Sequence, residues 1–223
     1  MLREIGHFIR HGKETSKLQK QHPRAEFCNL MMTKADEQGY AEVRRELVED
    51  LKGRVLDLGC GTGNMFPYYS SRAEVEGIEP EEDFLALALA RVKDHDGKIH
   101  AVHGDGMSLA FPDGTFDAVV FGLVLCSVPS VKQVLSEAFR VLKKGGQLRA
   151  LEHVRSEAAV SGFLMDMTNP LWMKLNNQGC RWNRNPLEEM KSAGFEIDDV
   201  MAFKRFDTVM PAFPMRRVRA HKP

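Results

Sequence analysis

The chain lacks any apolar run long enough to span a bilayer, so no membrane-crossing helix is expected. It also lacks net charge: 31 lysines and arginines balance 31 aspartates and glutamates, which excludes a global field drawing it to nucleic acid. Cysteine is scarce. Cys28, Cys60, Cys126 and Cys180 are scattered with no C-x-x-C pair, which argues against a disulfide framework or a zinc site and fits a reducing cytoplasm. No metal is therefore expected, and His7 and His11, with no third ligand in view, read as solvated helix residues. There is no internal repeat or low-complexity tract, and the start is too charged for a secretory signal. At 223 residues the chain falls within the single-domain range and can bury a full core.

What is present alternates as an α/β domain should. Apolar runs place strands near 54–59, 73–79, 99–104, 116–123 and 147–154, with helices at 64–70, 81–92 and 131–142 between them. Val131, Val134, Leu135, Ala138 and Leu142 have helical spacing, and Gly145-Gly146 is expected to stop that helix. A further helix is expected over 186–193, closed by Gly194.

The most informative stretch is Val55-Leu56-Asp57-Leu58-Gly59-Cys60-Gly61-Thr62-Gly63, an apolar strand breaking into spaced glycines. Such glycines let the backbone turn sharply and approach a ligand closely. A second strand, Val75 to Ile78, ends in Glu79-Pro80. That is about 20 residues on, where a doubly wound nucleotide-binding fold places its ribose carboxylate. The dinucleotide fingerprint needs G-x-G-x-x-G, and here the third glycine comes one residue early.

This G-x-G-x-G pattern resembles motif I of the class I S-adenosylmethionine-dependent methyltransferases. The resemblance continues through Gly104-Asp105-Gly106-Met107, Phe116-Asp117-Ala118-Val119-Val120 and Leu142-Lys143-Lys144-Gly145-Gly146, over roughly residues 40 to 155. It implies a doubly wound, Rossmann-like α/β sheet, mostly parallel, closed by an antiparallel hairpin strand, and so two more strands near 197–206 and 215–221. It also implies S-adenosylmethionine as cofactor, bound by Asp57, Gly59, Gly61, Gly63, Glu79, Pro80, Asp105, Gly106, Met107 and Leu123.

Two regions outside this core are expected to carry acceptor specificity. Residues 1–36 read as a basic amphipathic helix ahead of a methyltransferase domain spanning 37–223. Leu2, Ile5, Phe8 and Ile9 share one helical face, and Arg3, Arg10, Lys13, Lys17 and Lys20 supply charge. The first 24 residues are expected either to lie on an anionic membrane surface, to cap the active site, or to pack on the domain. Residues 155–185 are expected to cover the acceptor. They follow Glu152-His153-Val154 at the mouth of the fifth strand, and are rich in methionine and aromatics.

Three strings outside the shared motifs also resemble the methyltransferase-like 7 thiol S-methyltransferases: Leu123-Val124-Leu125-Cys126-Ser127-Val128, Glu152-His153-Val154, and Gly179-Cys180 followed by Arg184. The N-terminus departs, since that family carries a long apolar anchor there. The core motifs are shared with quinone C-methyltransferases and with phospholipid N-methyltransferases, which act on phosphatidylethanolamine. The expectation is thus methyl transfer to a small lipophilic or lipid acceptor, preferably a thiol, in the cytoplasm or at a membrane periphery. A lipid amine, a quinone carbon, or a non-catalytic cofactor-binding regulatory subunit remain the alternatives. His153 is the candidate base for a thiol proton and Glu152 its orienter or an amine holder; Cys126, Asn169, Trp172 and Arg184 are the candidate acceptor contacts.

Overall fold

The computed structural model describes residues 21–204 and 214–223, apart from residues 94, 96, 177 and 178. The basic segment at residues 1–20, including His7 and His11, lies outside the described residues. Seven strands form one sheet: β1 Gly53–Leu58, β2 Ala73–Glu79, β3 Ile99–His103, β4 Phe116–Gly122, β5 Leu142–His153, β6 Glu196–Lys204 and β7 Pro214–His221. Their order is β3-β2-β1-β4-β5-β7-β6. The first five strands are parallel; β7 runs antiparallel to both β5 and β6. This is the doubly wound sheet with a terminal antiparallel hairpin. Its order reverses between β1 and β4, which opens a crevice beyond their carboxyl ends.

Burial explains the order of the strands. In β1 the last four residues, Val55 to Leu58, are all buried, as are Ala118 to Phe121 in β4; both strands are covered on two faces. Among the described residues six α-helices follow in chain order: α1 Pro23–Ala35, α2 Ala41–Val48, α3 Glu82–Val92, α4 Val131–Val141, α5 Ala159–Leu175 and α6 Pro186–Ser192. In α4 the apolar stripe Val131, Val134, Leu135, Ala138 and Val141 is wholly buried, and Ser130 caps its start by accepting from the Gln133 amide at 3.2 Å.

Two expectations fail locally. No α-helix spans 64–70; the chain makes only a 3₁₀ turn at Phe66–Tyr68, and Tyr69 is already extended. Pro67 cannot donate a helical bond, and β2 begins too soon for a helix to propagate. Gly145-Gly146 does not end α4 either. The helix stops at Val141, with Leu142 extended, and the glycines lie inside β5. There Phe116 pairs with Leu142 but Ala118 pairs with Gln147, so the strand bulges between them, and Gly145 takes φ 73° to allow it.

The start of the described chain packs on the domain. Helices α1 and α2 run on through a kinked turn at Asp36–Tyr40, where Gly39 has φ 105°. Arg44 on α2, 2% exposed, pairs with Asp36 at 2.8 Å. Among the described residues no helix is long and apolar enough to cross a membrane.

Candidate active site

A cavity of about 470 Å³ opens beyond the carboxyl ends of β1, β2 and β4, within the range of small-ligand sites. Asp57, Gly59, Gly61, Glu79, Pro80, Asp105, Gly106, Met107 and Leu123, all expected from the sequence, line it. Gly63 does not. A Cβ there would meet the Phe66 ring at 2.7 Å, so this glycine serves packing of the turn. Gly59 is constrained by Val124, whose methyls lie 2.7 Å from where its Cβ would be. Gly61 differs: its nearest neighbour would be a Phe84 ring carbon at 4.0 Å. Open space above Gly61, on the cavity wall, is what a close backbone approach to a ligand requires.

The Glu79 carboxylate is held by two backbone donors. Oε2 accepts from the Gly61 amide at 2.9 Å and Oε1 from the Glu81 amide at 3.1 Å. Each oxygen keeps acceptor capacity toward the cavity, which suits a pair of ribose hydroxyls. Burial raises its pKa, and the two amides oppose that rise. Asp57, 1% exposed, stands at about 7; burial is the main cause, and Tyr69 and Arg44 offset only part of it. Asp105 closes a local turn by accepting from the Met107 amide at 2.9 Å. The donor set fits S-adenosylmethionine: a carboxylate for the ribose, an open glycine turn, and a buried carboxylate for an ammonium group.

Several lining residues were not singled out in the sequence, although capping the active site was one reading of the N-terminal segment. Arg24, Cys28, Met32 and Arg44, from α1 and α2, line the cavity. Arg24 bonds Glu81 at 2.8 Å and lies over the Phe84 ring, so α1 caps one side. Arg91 on α3 ties the glycine turn in place, donating to the Thr62 carbonyl at 2.9 Å, Asn64 at 2.7 Å and Asn29 of α1 at 2.6 Å. No pattern in the sequence marks these arginines, because their partners lie far away along the chain.

Just after β4, Leu123 carries φ 65°, a strained value for a branched side chain. The segment after it is clamped from behind. Glu152, 1% exposed, accepts from the Val124 amide at 2.8 Å and the Leu125 amide at 3.0 Å through one oxygen, Oε1. Arg184 donates to the carbonyls of Leu125 and Val128, the latter at 2.7 Å, and the Arg181 amide donates to the Cys126 carbonyl at 2.9 Å. Glu152, His153, Cys126, Asn169, Trp172 and Arg184 thus stand behind or beside the cavity wall, whose lining here is Leu123, Val124, Ser127 and Val128.

Glu152 uses Oε1 on two amides and its Oε2 has no hydrogen-bond partner among the described residues, so it acts on His153 through its charge rather than as a hydrogen-bonded orienter. The His153 Nε2 lies 2.8 Å from the Cys180 sulfur. Burial pulls the His153 pKa down, but the Cys126 sulfur and Glu152 outweigh it and leave the imidazole above its ordinary value. Trp172 stacks on Trp182 at 4.7 Å between centroids, and the Asn169 amide reaches the Met173 sulfur at 3.6 Å. Helix α5 leaves Val160, Phe163, Leu164, Met167, Leu171 and Leu175 exposed.

Comparison with known proteins agrees with this geometry. Residues 56–150 match the family model described as a methyltransferase domain. The chain is 34% identical over 165 residues to the thiol S-methyltransferase TMT1B of Rattus norvegicus, covering 68% of this chain and 67% of that one. A demethylmenaquinone methyltransferase of Listeria welshimeri is 39% identical over 103 residues, 44% of each chain. Among solved structures, a SAM-dependent methyltransferase of Thermotoga maritima superposes with a TM-score of 0.66 at 23% identity, covering 91% of this chain and 99% of that one.

Proposed function

We propose, from the premise that this chain belongs to the class I S-adenosylmethionine-dependent methyltransferases, that its methyl acceptor is a small lipophilic thiol. One observation carries the reading. The three strings that resemble the thiol S-methyltransferases, far apart in sequence, meet at one place: Glu152 and Arg184 grip the 124–128 segment, and His153 meets Cys180. They converge on the 123–128 wall of the cavity rather than on the glycine turn and Glu79.

The bound cofactor supplies a methyl group on a sulfonium that is already strongly electrophilic. The protein's work is therefore binding and alignment, worth several kcal/mol when an acceptor lone pair is held in line. Glu79 and the open turn at Gly61 hold the cofactor's ribose end; Asp57 sits where an ammonium compensates its buried charge. Glu152 acts as a positioning residue, keeping Leu123 to Leu125 in the shape that walls the acceptor.

The similarity to a demethylmenaquinone methyltransferase favours a quinone carbon as the second reading, though it covers only the core. Methyl transfer from labelled S-adenosylmethionine to alkyl and aryl thiols, a phosphatidylethanolamine analogue and a demethylated quinol decides between them. Thiol turnover well above the others is expected; turnover of only the amine or the quinol overturns the thiol reading. Work at a membrane periphery belongs to the same proposal, supported by the exposed apolar side chains of α5. Failure to sediment with anionic vesicles at low salt would remove that part.

A further inference from the structure

We propose that Cys126, His153 and Cys180 form a binding site for one soft metal ion, with zinc as its divalent occupant. Their two sulfurs and one imidazole nitrogen lie within 4.8 Å of one another. Around a tetrahedral zinc, bonds of about 2.3 Å to sulfur and 2.0 Å to nitrogen set ligand atoms roughly 3.5–3.8 Å apart. The 2.8 Å contact between His153 Nε2 and Cys180 Sγ then opens by well under an ångström, within reach of small side-chain rotations.

The three ligands come from separate elements, and each is held by its own framework. Cys126 follows β4, in the segment clamped by Glu152 and Arg184. His153 is the last residue of β5. Cys180 lies between α5 and α6, where Asn176 bonds both its amide, at 2.8 Å, and its carbonyl, at 2.9 Å. Two thiolates neutralise a divalent ion, so the site carries no net charge in the interior until an acceptor joins it. The neighbouring Glu152 favours a cation further: its Oε2 is buried with no hydrogen-bond partner among the described residues. Two sulfurs and an imidazole select zinc or cuprous ion over magnesium or calcium.

Three protein ligands leave the fourth tetrahedral position free, the arrangement of catalytic rather than structural zinc. Cys126 lies behind the wall made by its loop neighbours Leu123, Val124 and Ser127, its sulfur 3.3 Å from the Ser127 hydroxyl, so the ion sits one side chain from the cavity. Resting on the thiol reading above, the fourth ligand is the acceptor itself: an R–SH that coordinates loses its proton to solvent and is held as a thiolate.

The test is titration of the reduced, metal-stripped full chain with cobalt(II), read by the thiolate-to-cobalt charge-transfer absorption. One equivalent is expected to saturate it, zinc to reverse it, and Cys126→Ser and Cys180→Ser each to abolish it. Absorption that never saturates, or that persists in both variants, overturns the site. A measurement on the unmodified chain guards against misfolded variants: zinc should slow alkylation of Cys180 but not of Cys28, both only half-buried. Equal protection of the two, or none, overturns the site. An added alkanethiol should shift the cobalt spectrum; an unchanged spectrum overturns the open fourth position alone. Saturable cobalt binding without thiol methylation would sink the acceptor assignment and leave the metal site standing.

Discussion

At Glu79 a single side chain joins the glycine turn, the end of β2 and the cavity, because its oxygens accept from Gly61 and Glu81. Losing a buried, charge-assisted partner of this kind typically costs about 1.5–3 kcal/mol, or roughly ten- to a hundredfold in affinity. Glu79→Ala is expected to weaken S-adenosylhomocysteine by that factor in calorimetric titration. Gly61→Val fills the open wall at a φ of 59° and should act likewise; wild-type affinity in both folded variants would refute the cofactor assignment. Glu152 makes a different prediction. Glu152→Ala strips two buried amides of their acceptor, whereas Glu152→Gln keeps an oxygen there. Turnover should fall at least about tenfold in the first and largely survive in the second. Equal losses in the two variants would show that the charge, not the acceptor, matters.

Among the elements, the central strands were legible because their burial on two faces leaves continuous apolar runs that end in punctuating glycines. Helix α4 was legible by its buried stripe. The helix expected at 64–70 was not there, because the apolar residues there pack as a 3₁₀ turn and the chain is already extended at Tyr69. The Gly145 bulge looked like a helix stop because either use of glycine needs the same positive φ. The site followed the same division. Asp57, Gly59, Gly61 and Glu79 sit on motifs local in sequence, but the arginine ties and the Cys126–His153–Cys180 cluster depend on pairs many residues apart, which no local spacing encodes. Arg91 tests such a tie, since it couples α1, the glycine turn and α3 at once. Arg91→Ala leaves the Thr62 carbonyl and two asparagines short of a donor, at a cost of about 1–3 kcal/mol. A lower Tm together with weaker cofactor binding is expected; a Tm loss with unchanged binding would mean the turn holds its shape without α3.

The whole molecule carries a charge it tolerates poorly. Asp57, deep beside the central strands, titrates at about 7 in the folded protein against an ordinary 3.8, chiefly because burial penalises its ionised form. With the folded pKa raised, the native state holds this proton more tightly than the unfolded chain. Its contribution to stability is full below the unfolded pKa and is lost as pH rises through about 7, up to an upper bound on the order of 4 kcal/mol. Glu79 and Glu152, also raised by burial, slope the same way in both proteins, so the difference between them reports Asp57 together with its coupling to Glu79. In urea unfolding without cofactor, Asp57→Asn should therefore be more stable than wild type at pH 8, with the gain shrinking toward pH 5. Cofactor binding should show the opposite preference. A carboxylate facing an ammonium helps only when ionised, so the variant should bind S-adenosylhomocysteine more weakly at pH 8 and nearly as well as wild type at pH 5. Stability curves that run parallel from pH 5 to 8 would mean that Asp57 titrates normally. A variant that gains stability at pH 8 without losing affinity would instead free Asp57 from any part in holding the cofactor.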